Sequence, residues 1–243
     1  MKLLITGTDH GLGRAMAEEF LKRGNTVYAG EYCQATSLLN ELEGKYPDAL
    51  IRFPLDVTSD SSVREAVEVV KQHTDSLDII LNNAAILGDI EKSILDDLDF
   101  DEMVRVFDTN AVGDLRVCHY AMPLLLSGKT KLVLDISSEA GSMRTTHPGC
   151  TEHRCFAYFM SKAGVNMGGK IIATFLKDKG GHVLLVHPLW MKTFMRGDQD
   201  TAAPFYPEEV AVMIADLAES YPDYMPEGEN IIFIDAQGNQ LLW

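Results

Sequence analysis

Long hydrophobic runs and an excess of positive charge are both missing from this 243-residue sequence. No segment approaches the roughly 18 consecutive apolar residues of a membrane-spanning helix, although 46% of the residues are hydrophobic. Lys and Arg number 21 against 36 Asp and Glu, which gives a formal net charge of -15. Because nucleic acids and anionic membrane surfaces would repel this charge, we expect neither as a partner.

Cysteines are few and scattered. The four of them, Cys33, Cys118, Cys150 and Cys155, follow no spacing typical of a disulfide framework. The apolar start of the chain is too short for a secretory signal and runs directly into a glycine motif. We therefore expect a cytoplasmic protein with reduced thiols and no structural disulfide.

Internal repeats, low-complexity tracts and linkers rich in Pro, Gly and Ser are also absent. A chain of this length is common for a single α/β domain. We expect residues 1–243 to form one domain.

Short apolar segments alternate with longer amphipathic ones along the chain, which is typical of a parallel sheet covered by helices. The predicted strands are Lys2–Thr6, Thr26–Gly30, Leu50–Leu55, Leu77–Leu81, Lys131–Ile136, His182–His187 and Asn230–Ile234. The predicted helices are Leu12–Arg23, Ala35–Lys45, Ser61–His73, Asp101–Leu126, Phe156–Asp178 and Pro207–Glu219. This order predicts a doubly wound α/β fold of Rossmann type, with a seven-stranded, mostly parallel sheet and helices on both faces.

A glycine-rich turn lies between the first predicted strand and the first helix. Its sequence is Thr6-Gly7-Thr8-Asp9-His10-Gly11-Leu12-Gly13. Glycines here allow a tight turn and let the backbone approach a pyrophosphate at the helix N-terminus. The spacing differs from G-x-G-x-x-G, so an ordinary strand-to-helix connection is the alternative.

Glu31 follows the second strand, where an acidic side chain can accept hydrogen bonds from the adenosine ribose and repel a 2′-phosphate. This position favours NAD over NADP. A weak positive charge on His10 in the glycine turn would act in the opposite direction. The alternative is a solvated carboxylate on a loop.

Two further polar segments follow strands of the predicted sheet. Asp56-Val57 comes after the third strand, and Asn83-Ala84-Ala85 comes after the fourth. The carboxyl ends of strands are where open α/β sheets bind ligands. Ordinary polar turns are the alternative interpretation.

A possible reactive group lies in the second half of the chain. Tyr158 precedes Lys162 by one helical turn, Ser138 follows the fifth strand, and Asn110 lies within a long apolar-patterned helix. An unperturbed tyrosine ionises only near pH 10, and a neighbouring ammonium favours the phenolate. Each residue alone has an ordinary structural explanation: a turn serine, a core tyrosine, an exposed lysine.

Taken in order, these motifs resemble those of the short-chain dehydrogenase/reductase family. The resemblance spans nearly the whole chain, and it narrows to the branch of C-signal and sniffer-type carbonyl reductases through residues 187–195 and 235–243. The motifs are Thr6-Gly7-x-x-x-Gly11-x-Gly13, Asp56-Val57, Asn82-Asn83-Ala84, Asn110-x-x-Gly113, Ile136-Ser137-Ser138, Tyr158-x-x-x-Lys162 and Pro188 to Thr193.

The resemblance implies a role for each of the four reactive residues. Tyr158 would be the general acid in carbonyl reduction and the base in the reverse direction. Ser138 would hydrogen-bond the substrate oxygen, and Lys162 would favour the phenolate and hold the nicotinamide ribose. Asn110 would position a water that passes protons to solvent.

The resemblance also implies the contacts to a nicotinamide dinucleotide. Pro188 and Thr193 would hold the nicotinamide carboxamide, and Asp56 would meet the adenine amine. The remaining cofactor contacts are expected from Gly7, His10, Gly11, Leu12, Gly13, Glu31, Val57, Asn83, Ala84, Ala85, Tyr158 and Lys162.

Three positions depart from the family pattern. Ala85 replaces a glycine, Asp135 replaces a frequent asparagine, and Leu189 replaces the glycine after Pro188, where a leucine restricts the backbone near the nicotinamide. The segment from Ser138 to Tyr158 is longer than usual and contains His147, Cys150, His153 and Cys155. Their spacing does not match a metal site well, and we expect no metal.

The expected function is oxidoreduction between an alcohol and a carbonyl compound with NAD, and with NADP less favoured. The alternatives are a dinucleotide-binding regulatory or signalling protein with little turnover, and an α/β domain without a nucleotide site. A homodimer or homotetramer formed through the helices at 101–126 and 156–178 is expected. An apolar substrate pocket could be lined by Met143, Phe194, Met195, Phe205 and Tyr206.

Overall fold

Seven parallel strands form one sheet in the part of the chain that this computed structural model describes, residues 1–34, 37–144 and 154–243. The strand order is β3-β2-β1-β4-β5-β6-β7, and every neighbouring pair is parallel, where the sequence predicts a mostly parallel sheet. The strands are β1 (Lys2–Thr6), β2 (Thr26–Glu31), β3 (Leu50–Pro54), β4 (Ile79–Asn82), β5 (Leu132–Ile136), β6 (His182–His187) and β7 (Ile231–Asp235).

Helices cover both faces of the sheet, as predicted. One apolar core joins the sheet to α1 and α7, and the other joins it to α3, α5 and α6, because alternate strand residues point to opposite faces. The helices are α1 (Gly11–Lys22), α2 (Asn40–Glu43), α3 (Asp60–His73), α4 (Phe100–Phe107), α5 (Gly113–Ser127), α6 (Phe156–Leu176) and α7 (Pro207–Ser220). In the described part of the chain, no helix is long and apolar enough to cross a membrane.

The strand order reverses between β1 and β4. The chain runs from β1 outwards to β2 and β3, and β4 then pairs on the other side of β1 and continues towards β7. The connections after these two strands therefore leave in opposite directions and open a crevice at the carboxyl edge. The predicted glycine turn and Asn83 both lie at this crevice.

Two helix predictions need correction. The helix predicted over Ala35–Lys45 is only the single turn α2 within the described residues, because the backbone N–H of Leu38 donates to the carbonyl of Asp9 and the Ser37 hydroxyl accepts from Leu39 N. The helix predicted over Asp101–Leu126 contains a π-helical turn, Asp108–Val112, between α4 and α5. Hydropathy periodicity does not reveal a one-residue bulge of this kind.

Two carboxyl groups, Asp114 of α5 and Asp135 of β5, are buried between the sheet and its helices. Asn82 Nδ2 donates to Asp135 Oδ1 at 2.8 Å, and a Cβ added to Gly169 of α6 would lie 3.5 Å from Asp135 Oδ2. Burial raises the pKa of Asp135 to about 6, although the hydrogen bond from Asn82 and the charge of Lys162 act in the opposite direction. Burial and the charge of Asp135 raise the pKa of Asp114 well above its usual value.

The raised pKa of Asp135 predicts a pH-dependent cost in stability. The folded protein retains a proton that the unfolded chain loses near pH 4, so the stability that this proton confers is present below pH 4 and lost as the pH rises through 6. Asp135→Asn preserves an acceptor for Asn82 and removes the titration. The variant should gain about 3 kcal/mol over the wild type between pH 4 and pH 8.

Urea unfolding at a series of pH values measures this gain. Asp48→Asn, at an exposed carboxylate, serves as the matched control and should show little pH-dependent change. An Asp135→Asn effect that is the same at pH 4 and pH 8 would contradict the prediction.

Candidate active site

The glycine turn after β1 has the geometry that a bound pyrophosphate requires. Gly7 and Gly11 adopt left-handed backbone angles, with φ of 66° and 56°. A Cβ on Gly13 would lie 2.0 Å from the carbonyl oxygen of Gly7, so a side chain is excluded there. The N-cap residue His10 makes no side-chain hydrogen bond to the first turn of α1, and N–H groups at a helix N-terminus favour an anion. These features fit a dinucleotide.

The turn is held in place from the neighbouring strand β4. Asn83 Nδ2 donates to the carbonyl oxygens of Thr6 and Gly7, both at 3.0 Å. Thr6 Oγ1 accepts from the backbone N–H groups of Asn83 and Ala84 at 2.9 and 3.0 Å. The Asn83 side chain thus supports the turn. The bridging role of Thr6 was not evident from the sequence.

The other residues of this turn have different environments. Leu12 is buried in the core beneath the turn, whereas His10 is exposed in an extended conformation before α1. Ala85 is half-buried beyond β4. Leu12 therefore contributes packing, and His10 is the member of the turn that faces solvent.

Glu31 is fully buried at the end of β2, which contradicts the alternative of a solvated loop carboxylate. Arg52 of β3 contacts both carboxylate oxygens, through Nε at 2.9 Å and Nη2 at 3.0 Å, and its Nη1 reaches Glu43 at 3.2 Å. The hydrogen bond to Glu31 raises the pKa of Arg52. The pair is a bidentate ion pair at the carboxyl end of β2, and no sequence pattern indicated it.

Asp56 and Val57 follow β3 on the same edge. Asp56 Oδ1 accepts from the backbone N–H and the hydroxyl of Thr58, at 2.9 and 2.7 Å. Val57 is buried against Gly113, where a Cβ would lie 2.8 Å from its Cγ2. These contacts fix both residues at the crevice, as the sequence predicts.

Asn110 lies in the π-helical turn and is fully buried. Its Oδ1 accepts from Ile86 N at 2.8 Å, and its Nδ2 donates to Ile86 O at 2.8 Å and to Ser161 Oγ at 2.9 Å. Ser161 Oγ in turn donates to the carbonyl of Tyr158 at 2.8 Å. Asn110 therefore connects the loop after β4 to the first turns of α6.

Lys162 joins the reactive residues at the end of β5. Its side chain is buried, with only 2% exposed, and Nζ donates to the carbonyl of Ile136 at 2.6 Å. The same Nζ lies 5.7 Å from the centre of the Tyr158 ring. Ser138 follows Ile136 by two residues, and its hydroxyl accepts from Ala140 N at 3.1 Å. These contacts and those of Asn110 bring the four predicted residues to one edge of the sheet.

A second layer of residues supports this arrangement. Asn166 Oδ1 accepts from Ser137 Oγ at 2.5 Å, and its Nδ2 donates to the carbonyl of Gly141 at 3.2 Å. Gly141 packs directly on α6, since a Cβ there would lie 2.6 Å from the carbonyl oxygen of Lys162. Asn166 lies one turn beyond Lys162 on the same helix. This four-residue spacing is the sequence signal from which its place beside Lys162 could be predicted.

The segment after β6 departs from regular structure, as expected. Leu189 adopts a left-handed φ of 66°, so the position requires the conformation that glycine accepts without strain. Thr193 N donates to Met191 O at 2.9 Å, and Trp190 Nε1 donates to Asp200 at 2.7 Å. The segment beyond Pro188 is therefore held by hydrogen bonds within itself.

The residues expected to line a substrate pocket do not form an enclosed cavity. Met143, Phe194, Met195 and Tyr206 are exposed, whereas Phe205 packs against the core. His147, Cys150 and His153 lie outside the described residues. Within the described ranges, no group of three His, Cys, Asp or Glu side chains is placed to hold a metal ion.

Comparison with known proteins matches this chain to a family. The model of the short chain dehydrogenase family matches residues 2–203. C-signal of Myxococcus xanthus is 32% identical over 170 residues, covering 70% of this chain and 95% of that protein. The 3-oxoacyl-acyl-carrier-protein reductase FabG of Thermotoga maritima is 30% identical over 236 residues, covering 91% of this chain and 92% of that protein.

Solved structures share the fold over the whole chain. A short-chain dehydrogenase/reductase from Burkholderia multivorans with bound NADP has a TM-score of 0.82 at 26% identity and covers 100% of this chain and 99% of its own. The carbonyl reductase Sniffer of D. melanogaster has a TM-score of 0.87 at 21% identity and covers 100% and 99%. The predicted family is thereby confirmed: this chain belongs to the short-chain dehydrogenase/reductase family of oxidoreductases.

Proposed function

We propose that Tyr158 is the general acid and base of a hydride transfer between a nicotinamide cofactor and a carbonyl or alcohol substrate. The observation that carries this proposal is the position of Lys162, a buried ammonium that faces the Tyr158 ring and is fixed to the end of β5. A positive charge held at this place favours the phenolate that the reaction forms.

Each residue of the group has one task in carbonyl reduction. When bound, the reduced nicotinamide supplies a hydride to the carbonyl carbon. Tyr158 gives its phenolic proton to the carbonyl oxygen, which takes the electron pair of the C=O π bond. Ser138 donates a hydrogen bond to that oxygen, and Lys162 stabilises the phenolate that remains.

Proton return involves Asn110. The phenolate of Tyr158 must be reprotonated before the next turnover. Asn110 is linked through Ser161 to the backbone carbonyl of Tyr158, and we propose that it orders a water that carries the proton from solvent. In alcohol oxidation the same steps run in reverse.

Removal of the phenolic hydroxyl should abolish most of the activity. Tyr158→Phe should lower kcat roughly a hundredfold or more on any carbonyl substrate, because the acid is lost while the ring is retained. Turnover across a panel of aldehydes and ketones measures the effect, with the melting temperature as a check of folding.

Tyr224→Phe, at a tyrosine outside the site, is the matched control and should retain wild-type turnover. Lys162→Ala should resemble Tyr158→Phe. Equal turnover by Tyr158→Phe and the wild type would overturn the proposed role.

A second function is favoured by the strained backbone of Leu189 beside the nicotinamide segment. It is a regulatory or signalling role, in which the chain binds a dinucleotide and turns over little substrate. Tight cofactor binding without turnover on the panel would support it, whereas robust turnover lost in Lys162→Ala would exclude it as the main function.

The preferred cofactor is proposed to be NAD. Glu31 presents a buried carboxylate where the adenosine ribose is expected, and all three nitrogens of the nearby Arg52 guanidinium contact carboxylates. The Burkholderia multivorans relative is described with NADP, as is a chicken carbonyl reductase with NADPH. This chain would differ from them in that respect.

A cytoplasmic location is also proposed, because the cysteines are scattered and follow no disulfide spacing.

Neutralising Glu31 should shift the preference towards NADP. Glu31→Gln removes an acceptor for the ribose hydroxyls and releases Arg52, which can then face a 2′-phosphate. The ratio of the Kd values for NADPH and NADH should fall about tenfold or more.

Titration calorimetry measures both constants. Glu43→Gln removes the other carboxylate on Arg52 and leaves Glu31 in place, so it should preserve the wild-type ratio. The proposed preference would fail if the wild type bound NADPH more tightly than NADH.

A homo-oligomer is proposed from a stripe of exposed apolar side chains. On α6 the stripe follows one helical face, and α4 packs beside it. Such large side chains are rarely left in water on a monomer. The stripe consists of Phe100, Val104, Phe107, Met160, Met167, Ile171 and Phe175.

A charge on this stripe should dissociate the oligomer. Ile171→Glu would place a carboxylate in the centre of the buried interface, and light scattering should give the monomer mass where the wild type gives a dimer or tetramer. Val212→Glu, on the opposite side of the sheet in α7, should leave the mass unchanged. A monomeric wild type would contradict the proposal.

A further inference from the structure

Asp9 lies within the glycine turn, and its carboxylate is directed at the segment that follows β2. Only 5% of the residue is exposed. Oδ2 accepts from the backbone N–H of Tyr32 at 3.0 Å, and Oδ1 accepts from that of Cys33 at 2.5 Å. The carbonyl of Asp9 accepts from Leu38 N at 2.9 Å. The turn after β1 and the segment after β2 are thus joined through this residue.

Two successive backbone N–H groups that converge on one point form a concave site for an anion. The N–H groups of Tyr32 and Cys33 converge in this way, and the carboxylate of Asp9 occupies the point where they meet. The chain therefore supplies its own anion to this site.

The anion site directly follows Glu31, the residue expected at the adenosine ribose. Glu31, which precedes the two N–H groups, marks the ribose hydroxyls in the proposed function. A 2′-phosphate would extend the 2′-hydroxyl towards the residues just after Glu31. It would bring negative charge to the place that the Asp9 carboxylate already occupies.

The charges around Glu31 and Asp9 are balanced differently. The carboxylate of Glu31 forms a bidentate ion pair with Arg52, which largely cancels its charge. Among the described residues, the partners of the Asp9 carboxylate are backbone N–H groups, which carry no net charge. The guanidinium of Arg14 forms its ion pairs elsewhere, since its Nη1 and Nη2 contact Glu18 at 3.1 Å and Glu41 at 3.3 Å.

We propose that Asp9 is a cofactor-specificity residue, whose carboxylate fills the anion site formed by the N–H groups of Tyr32 and Cys33 and thereby excludes dinucleotides that carry a 2′-phosphate. The inference rests on the proposed function, because it takes the crevice as a dinucleotide site. It assigns the repulsion of the 2′-phosphate mainly to Asp9, because the ion pair with Arg52 largely cancels the charge of Glu31.

The test compares ligands that differ only in the 2′-phosphate. Calorimetry on the full chain measures Kd for 5′-AMP and adenosine 2′,5′-bisphosphate, and for NADH and NADPH. The wild type should bind each 2′-phosphorylated ligand about tenfold more weakly than its partner, and this ratio should shrink at high salt because the repulsion is screened.

Two substitutions remove the charge in different ways. Asp9→Ser shortens the side chain and opens the two N–H groups, and Asp9→Asn preserves its size. In Asp9→Ser the affinity for the 2′-phosphorylated ligands should rise about tenfold, while that for 5′-AMP and NADH changes less than threefold. Asp9→Asn should move the ratio in the same direction by a smaller factor. Melting temperatures show whether each variant folds.

Asp223→Asn changes the net charge equally at an exposed residue near the opposite edge of the sheet, and it should leave every ratio unchanged. The inference is overturned if the wild type does not discriminate, if discrimination is insensitive to salt, or if Asp9→Ser shows the ratio of the wild type. Discrimination by the wild type without carbonyl turnover would contradict the proposed enzymatic function and support the inference.

Discussion

A buried ammonium organises the centre of this molecule. Lys162 of α6 is only 2% exposed, and its Nζ donates to the carbonyl of Ile136 at the end of β5. A buried charge is tolerated only where hydrogen bonds and opposite charges compensate for lost hydration. This requirement fixes the distance between α6 and the end of β5, and with it the relation of Tyr158 to Ser138.

A glycine and two buried carboxyl groups form the surroundings of that charge. Gly141 must lack a side chain so that the turn after Ser138 can pack on α6 at Lys162, and the carboxyl groups of Asp114 and Asp135 lie within its electrostatic reach. Asp135 remains a good acceptor for Asn82 in either protonation state. The polar centre is thus a single unit in which a change at one group alters the field at the others.

The two ends of the crevice are governed by different forces. Around Glu31 the arrangement is electrostatic, with Glu31, Arg52 and Asp9 placed by strand ends and backbone N–H groups. Around Pro188 it is conformational, because Leu189 holds a backbone angle that an L-residue adopts at a cost of about 1–2 kcal/mol. The first arrangement depends on charge, whereas the second depends on the backbone of one strained segment.

Much of this arrangement could be predicted from the sequence, because strand ends are marked by a change from apolar to polar residues. Glycine spacing located the turn after β1, and one-turn spacing paired Tyr158 with Lys162. Contacts between residues distant in sequence could not be obtained in this way. The pairing of Arg52 with Glu31 depends on strand register, and the contact of Asp9 with residues 32 and 33 depends on a loop conformation. The surroundings of Glu31 were therefore only partly predicted.

The π-helical turn at Asp108–Val112 has a consequence for the whole helical hairpin. It contains one residue more than an α-helical turn, and each residue turns a helix by about 100°. Loss of that residue would restore a regular helix and swing Asn110 away from Ser161. It would also rotate the outer face of α4 relative to α5. One inserted residue thus couples the position of Asn110 in the interior to the outer surface of α4, so a deletion there would change both together.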